Sequence, residues 1–256
     1  MSRGPTAEHD ELPDGAFPTR VNAVYGAVSA GWRELQRRDP EFAEVFLQYV
    51  ETAHNAPSLP ASIRELLLLA HDVSMTTFDE TGIANRMESA LDAGATEREI
   101  LDVIELLSML SIHSLVTGLD LAAPPEPPPA SRQGPYWHEF EERFPGFHGA
   151  LASTQPEFFG RYEALGKALW RPDGLAPQWK ELVFVVADLS TTHLFRDGAA
   201  IHIANARSYG ATASQVIEAI ILAIPPAARS IDLGLPALAK ALEHRAATTH
   251  RVPAGH

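Results

Sequence analysis

Between Asp188 and His202 the chain concentrates its acid–base groups: Asp188-Leu-Ser-Thr-Thr-His193-Leu-Phe-Arg196-Asp197-Gly-Ala-Ala-Ile-His202. Imidazole titrates near neutral pH, so His202 is the first candidate for a general acid or base and His193 the second. If the stretch is helical, His193 and Asp197 stand one turn apart with Arg196 beside them. That arrangement suits substrate handling: Arg196 forks onto a carboxylate while His193 or Asp197 moves a proton. It also suits a metal held by His193, Asp197 and His202, two imidazoles and a carboxylate. No outer hydrogen-bonding partners for such ligands can be read from the sequence, and no metal is assigned. The plain alternative is a solvated helix start, where polar residues are ordinary. Upstream, Glu181 near a helix start is either a carboxylate favoured by the helix dipole or part of the same chemistry.

Composition removes whole classes of function. Cysteine is absent, which excludes disulfides, thiolate nucleophiles, Cys-ligated zinc and Cys-ligated iron–sulfur clusters. A formal net charge of −13 gives no general attraction to nucleic acid or to an anionic membrane. Met1 to Thr19 is polar and carries Pro5, Pro13 and Pro18, unlike a secretory signal. The apolar stretch Val216 to Ala228 is broken by Pro225 and Pro226 and is too short for a bilayer. A cytoplasmic protein without membrane or nucleic-acid partners is expected. No glycine-rich loop has the spacing of a dinucleotide or phosphate site.

The positioning elements come in two sets. A shift of 116 residues lays Pro40-Glu41-Phe42 on Pro156-Glu157-Phe158, and Glu65-Leu66 on Glu181-Leu182. The same shift superposes Asp72, Ser74 and Thr76 on Asp188, Ser190 and Thr192, and Gly94-Ala95-Thr96 on Gly210-Ala211-Thr212. One ungapped register over this length is a tandem duplication. Each copy carries apolar stripes at helical spacing, such as Ile63, Leu66, Leu67 and Ala70, or Leu182, Val185, Val186 and Leu189. Gly94 suits a left-handed helix stop, and Thr96 with Glu99 a capping box; Gly210, Thr212 and Gln215 repeat the device. An all-α fold is expected. Its parts are a flexible tail (1–22), a first repeat (23–121), a proline-rich linker (122–135), a second repeat (136–243) and a C-terminal tail (244–256). Because Asp188 and Asp72 match, a structural role such as loop capping is the simpler reading of Asp188, with substrate contact as the other. Trp170 and Trp179, flanking a Pro-Asp-Gly turn, read as packing or a pocket lid.

In order, these landmarks resemble the carboxymuconolactone decarboxylase, or AhpD-like, family: Arg/Lys-Glu-Leu, a loop, a helix ending in Gly-Ala-Thr, then a long apolar helix. The first copy has Arg64-Glu65-Leu66 and the second Lys180-Glu181-Leu182. The family's His, eight residues before the Gly, is His202 in the second copy, while the first has Arg86. In the peroxidase branch, cysteines precede that His by seven and four residues. Here Phe195 and Gly198 stand there, with Asp79 and Gly82 in the first copy, so disulfide-cycling chemistry is impossible. The resemblance implies an AhpD-like helical bundle. It also implies that Glu181 returns to face His202 and that the second copy holds the site while the first is degenerate.

By the same resemblance, the chain is expected to be a cofactor-independent decarboxylase or related acid–base lyase of a small oxo- or lactone-carboxylate. Catalytic residues would be His202, Glu181 and His193; substrate contacts Arg196, Asp197 and Asp188. A lactone hydrolase or isomerase would use the same parts. The other class is a non-catalytic helical assembly or binding member, favoured by the loss of Cys-x-x-Cys from both copies and of His from the first. Single-copy members assemble as rings of helical pairs, so a homodimer or homotrimer is expected. His113 and Arg229, on the last apolar helix of each copy, are read as reaching a pocket or bonding a backbone group.

Overall fold

A computed structural model describes residues 16–122, 126–127, 140–142 and 144–249. Among them every regular element is helical: α1 Ala16–Tyr25, α2 Ala30–Arg38, α3 Pro40–Asn55, α4 Ala61–Val73, α5 Glu80–Asp92, α6 Glu97–Leu107, α7 Ile112–Ala122, α8 Phe147–Thr154, α9 Pro156–Leu169, α10 Pro177–Asp188, α11 Arg196–Ser208, α12 Ala213–Ile221 and α13 Arg229–Thr249. Short 3-10 turns precede α7 and α13. The proline-rich linker lies outside the described residues apart from 122, 126 and 127.

The described residues divide into two compact units, 16–51 with 228–249, and those between 52 and 227. In the first, α2 lies against α13. Gly31 permits the approach, because a Cβ there would sit 2.6 Å from the Asp232 Cα. Ser29 caps α2 and also donates to the Asp232 carboxylate. Residues 16–22 and 244–249 are helical where tails were expected. Apolar residues inside the presumed N-terminal tail account for the first: Phe17 meets Trp32 edge-on at 6.0 Å and Val21 is fully buried.

The second unit holds the paired helices of both repeats. In each repeat the helix that carries Arg/Lys-Glu-Leu packs on its successor, α4 on α5 and α10 on α11, and α4 and α10 also pack together. Leu66 to Ala70 and Leu182 to Ala187 form the shared core. Both capping boxes form, Thr96 with Glu99 and Thr212 with Gln215. Gly94 and Gly210 take φ of +92° and +101°, the left-handed region where a Cβ is costly. Asp102 of the first repeat, 1% exposed, accepts from the Leu175 amide at 2.8 Å and pairs with Lys180 Nζ at 3.2 Å. This buried pair fixes the start of α10. Glu97–Leu119 is long and apolar enough to cross a membrane by length and composition, although a 3-10 turn divides it. Here its Val103, Leu106, Leu107 and Leu110 lie in the core.

Candidate active site

Pro177 opens α10 at its first turn, where a missing N–H costs nothing. Glu181 therefore falls in the second turn, beyond the orphan amides of the helix end, and is 1% exposed. Only a partner can offset the burial of such a carboxylate. The partner is His202 on α11: Nδ1 donates to Glu181 Oε2 at 2.6 Å. Phe184, one turn after Glu181, stacks on the imidazole at 4.5 Å. Burial alone would depress the His202 pKa, but the Glu181 hydrogen bond and charge, with the Asp188 charge, raise it above the ordinary value. The pair fixes the tautomer and leaves Nε2 as the nitrogen available to a substrate.

A second polar group lies beside it. Asp188, at the end of α10, is fully buried, and neither carboxylate oxygen has a hydrogen-bond partner. Its nearest cation-forming neighbour is His113 Nε2 at 3.7 Å. Burial lifts the Asp188 pKa to about 7, although the His202 charge pulls the other way. His113 meets His193 through Nδ1 and Nε2 at 2.8 Å. Burial, then the nearby His193 and His202, hold the His113 pKa down to about 3. Burial also lowers that of His193. Gly198 makes room for this cluster, since a Cβ there would meet Asp188 Oδ2 at 2.6 Å and also the Phe195 ring. Leu194, between His193 and Phe195, has φ +51°, a conformation costing a non-glycine residue roughly 1–2 kcal/mol. Phe78 at the matching place has φ +46°, so the tight loop belongs to the repeat rather than to the chemistry.

Glu181, His202 and His113 line a cavity of about 360 Å³. Its wall is largely apolar and aromatic, with Phe140, Phe144, Phe184, Phe195, Trp170 and Ile201, and Lys167, Glu163, Tyr162 and Tyr209 add polar groups. A few polar groups converging on an apolar hollow is the usual form of a small-molecule site. Met109, Ile112, His113 and Val116 come from the first repeat, so the cavity is not the property of the second copy alone.

Of the residues singled out in the sequence, Glu181, His202, Asp188 and His193 come together. Arg196 and Asp197 are exposed and do not line the cavity; the cation that does is Lys167. The sequence gives no signal for Lys167, which belongs to an ordinary amphipathic helix. Trp170 lines the cavity and Trp179 packs on the core. His113 contacts a second imidazole rather than a backbone group. Among the described residues, the set that could offer metal ligands is His113, Asp188 and His193, with one atom each within 4.8 Å of the others, in place of His193, Asp197 and His202.

An all-α tandem repeat with a buried Glu–His pair on an apolar cavity defines the class: an AhpD-like bundle without the thiols. Residues 156–243 match the model of the carboxymuconolactone decarboxylase family. A solved structure from Burkholderia xenovorans LB400, provisionally named a gamma-carboxymuconolactone decarboxylase subunit, matches with a TM-score of 0.79 at 29% identity, covering 90% of this chain and 97% of that one. No curated protein matches. The second repeat is thus similar in sequence to the carboxymuconolactone decarboxylase, or AhpD-like, family, and the chain as a whole is similar to that solved structure.

Proposed function

We propose that this chain is a carboxy-lyase that needs no cofactor and acts on a small oxo- or lactone-carboxylate. The observation that carries the reading is the 2.6 Å His202–Glu181 pair, its carboxylate buried, in a largely apolar cavity wall. Loss of CO2 breaks a C–C bond and leaves its electron pair on the substrate, where a β-carbonyl takes it up as an enolate. His202, with its pKa raised, is protonated over a wider range than a free imidazole and delivers the proton to the enolate carbon. Glu181 stabilises the imidazolium before the transfer and holds the ring in place after it. Apolar walls keep water from competing and strengthen the charge interactions. Lys167 supplies the cation for the carboxylate.

The test is a panel of β-oxo acids and lactone acids, followed for released CO2 and for the decarboxylated product by mass. Stoichiometric CO2 with at least one member is expected. Ring opening or isomerisation without CO2 would reassign the same pair to hydrolysis or isomerisation, and no turnover with any member would overturn the enzyme reading. The proposal extends to a homodimer or homotrimer, as the family resemblance implies, and to a place in the cytoplasm. Light scattering is expected to show a species two or three times the 27.8 kDa chain mass.

A further inference from the structure

His113 and His193 are nearly parallel, 10° between planes with centroids 5.1 Å apart. They are nevertheless not stacked face to face. Overlapping faces sit about 3.5 Å apart or more, whereas two ring nitrogens here approach to 2.8 Å. The rings therefore meet edge to edge, and the contact is an in-plane N–H···N hydrogen bond. Imidazole lone pairs lie in the ring plane, so these two nitrogens point at each other and cannot converge on a third atom. That geometry disfavours an ion shared by His113, Asp188 and His193.

What it suits is proton movement. His113 is hydrogen-bonded at Nδ1 to His193, and its Nε2 faces Asp188 at 3.7 Å, a gap that must close before a proton can cross. Asp188 is fully buried with no hydrogen-bond donor, and its charge is felt at His202. His193, at the other end, is half-buried and sits on the loop between α10 and α11. We propose that Asp188, His113 and His193 form a proton wire that reloads His202 from solvent after each turnover. This rests on the decarboxylase reading for its purpose, but the wire itself is a property of the resting protein.

The steps balance. Protonated Asp188 gives its proton to neutral His202 through a bridging water, since the two are not in direct hydrogen-bond contact, leaving a carboxylate and an imidazolium. His113 then passes its Nε2 proton to Asp188 while taking one at Nδ1 from His193 Nε2, and His193 regains a proton from solvent at Nδ1. His113 and His193 both end as the opposite tautomers and reset by ring rotation, His193 also by proton exchange with solvent. It never carries a charge for long, consistent with an imidazole that burial and two neighbouring imidazoles make hard to protonate. The ionisable group outside the wire whose charge reaches it is His202, from α11, which Glu181 of α10 holds in turn.

The experiment is 15N NMR of histidine-labelled protein from pH 5 to 8.5, in wild type, Asp188→Asn and His193→Gln, with folding checked by circular dichroism. In wild type, the two His113 nitrogens are expected to exchange their tautomeric shifts as the wire titrates, without the ring becoming cationic. Both variants are expected to abolish that exchange. A His113 that titrates as an isolated imidazole, or whose shifts are the same in all three proteins, would overturn the wire. Neither result depends on turnover, so failure of the decarboxylase reading is seen separately. Where turnover is available, His193→Gln is expected to lower kcat roughly 10²-fold with KM unchanged, and added imidazole buffer to restore part of it. His193→Gln at wild-type rate in low buffer would also overturn the wire. His193 is only half-buried, so that variant stays informative if Asp188→Asn fails to fold.

Discussion

Arg86 donates to Glu65 at 3.0 Å across the two positions where the second repeat places His202 and Glu181. Arg64 and His54 complete the first pair's surroundings, at 3.1 and 3.0 Å from Glu65 Oε1. Burial would raise the Glu65 pKa, but His54, Arg86 and Arg64 together hold it at about 2. A guanidinium does not release its proton near neutral pH. The first repeat therefore keeps the architecture of the pair as a structural ion cluster, and the second keeps its chemistry.

That contrast separates the outcomes of substitution. His202→Ala and Glu181→Gln are expected to lower turnover by roughly 10²–10⁴-fold, the contribution of a positioned acid and its orienting group. Arg86→Ala removes one of the three cationic partners of buried Glu65 and is expected to cost about 1.5–3 kcal/mol of stability, with little loss of turnover per folded molecule. Denaturant unfolding alongside kinetics on the same samples checks both. Equal losses of turnover from the two repeats would make the site a shared one.

Substrate anchoring is expected to follow the cavity. Lys167→Gln should raise KM by about tenfold or more, the effect of one charge-assisted hydrogen bond of roughly 1.5–3 kcal/mol, and change kcat less. Arg196→Ala, on the exposed surface, should leave both within about twofold. Steady-state kinetics on any active member of the β-oxo acid panel distinguishes them.

Helical periodicity, the 116-residue register and the two Gly-Ala-Thr helix boundaries were legible because each is a local rule repeated twice. Glu181 with His202 was legible too, through family spacing. Arg196 lies off the cavity for a physical reason: adjacency to His193 in a loop does not fix which way a side chain of the first turn of α11 faces, and Arg196 is exposed. Lys167 and Trp170, from α9 and its end, and Phe140 and Phe144 lie too far from the dyad in sequence to leave a local trace. His113 was visible only as a polar residue on an apolar helix. Its meeting with His193, 80 residues away, depends on how the repeats nest.

Asp188 should make stability fall as pH rises. Its folded pKa of about 7 lies above the ordinary carboxyl value, so the folded state holds the proton more tightly than the unfolded chain between about pH 4 and 7. The associated stability is complete below about pH 4 and is lost as pH climbs through 7. Asp188→Asn cannot ionise and is expected to gain on wild type across that window by on the order of 2–4 kcal/mol. Glu65, depressed to about 2, acts in the opposite sense and loses its contribution as pH falls below the unfolded carboxyl value. Thermal melts of wild type and Asp188→Asn from pH 4 to 8.5 check the sign.

Gly198 tests whether the cluster depends on its tight approach. Alanine normally stabilises a helix interior over glycine by about 1 kcal/mol, and Gly160→Ala in α9, where an added methyl meets nothing within 4 Å, should show that gain. At Gly198 the methyl would press on Asp188 Oδ2 at 2.6 Å and on the Phe195 ring. Phe195 sits 4.3 Å from the His113 ring, so the displaced ring has a cluster member in its path. Overpacking of this kind costs about 1–3 kcal/mol, and Gly198→Ala is expected to be net destabilising despite its better helix propensity. It should also move the His113 and His193 NMR signals, which Gly160→Ala should leave unchanged. A Gly198→Ala protein as stable as wild type with unperturbed histidine signals would mean that α11 can shift away from Asp188 at no cost.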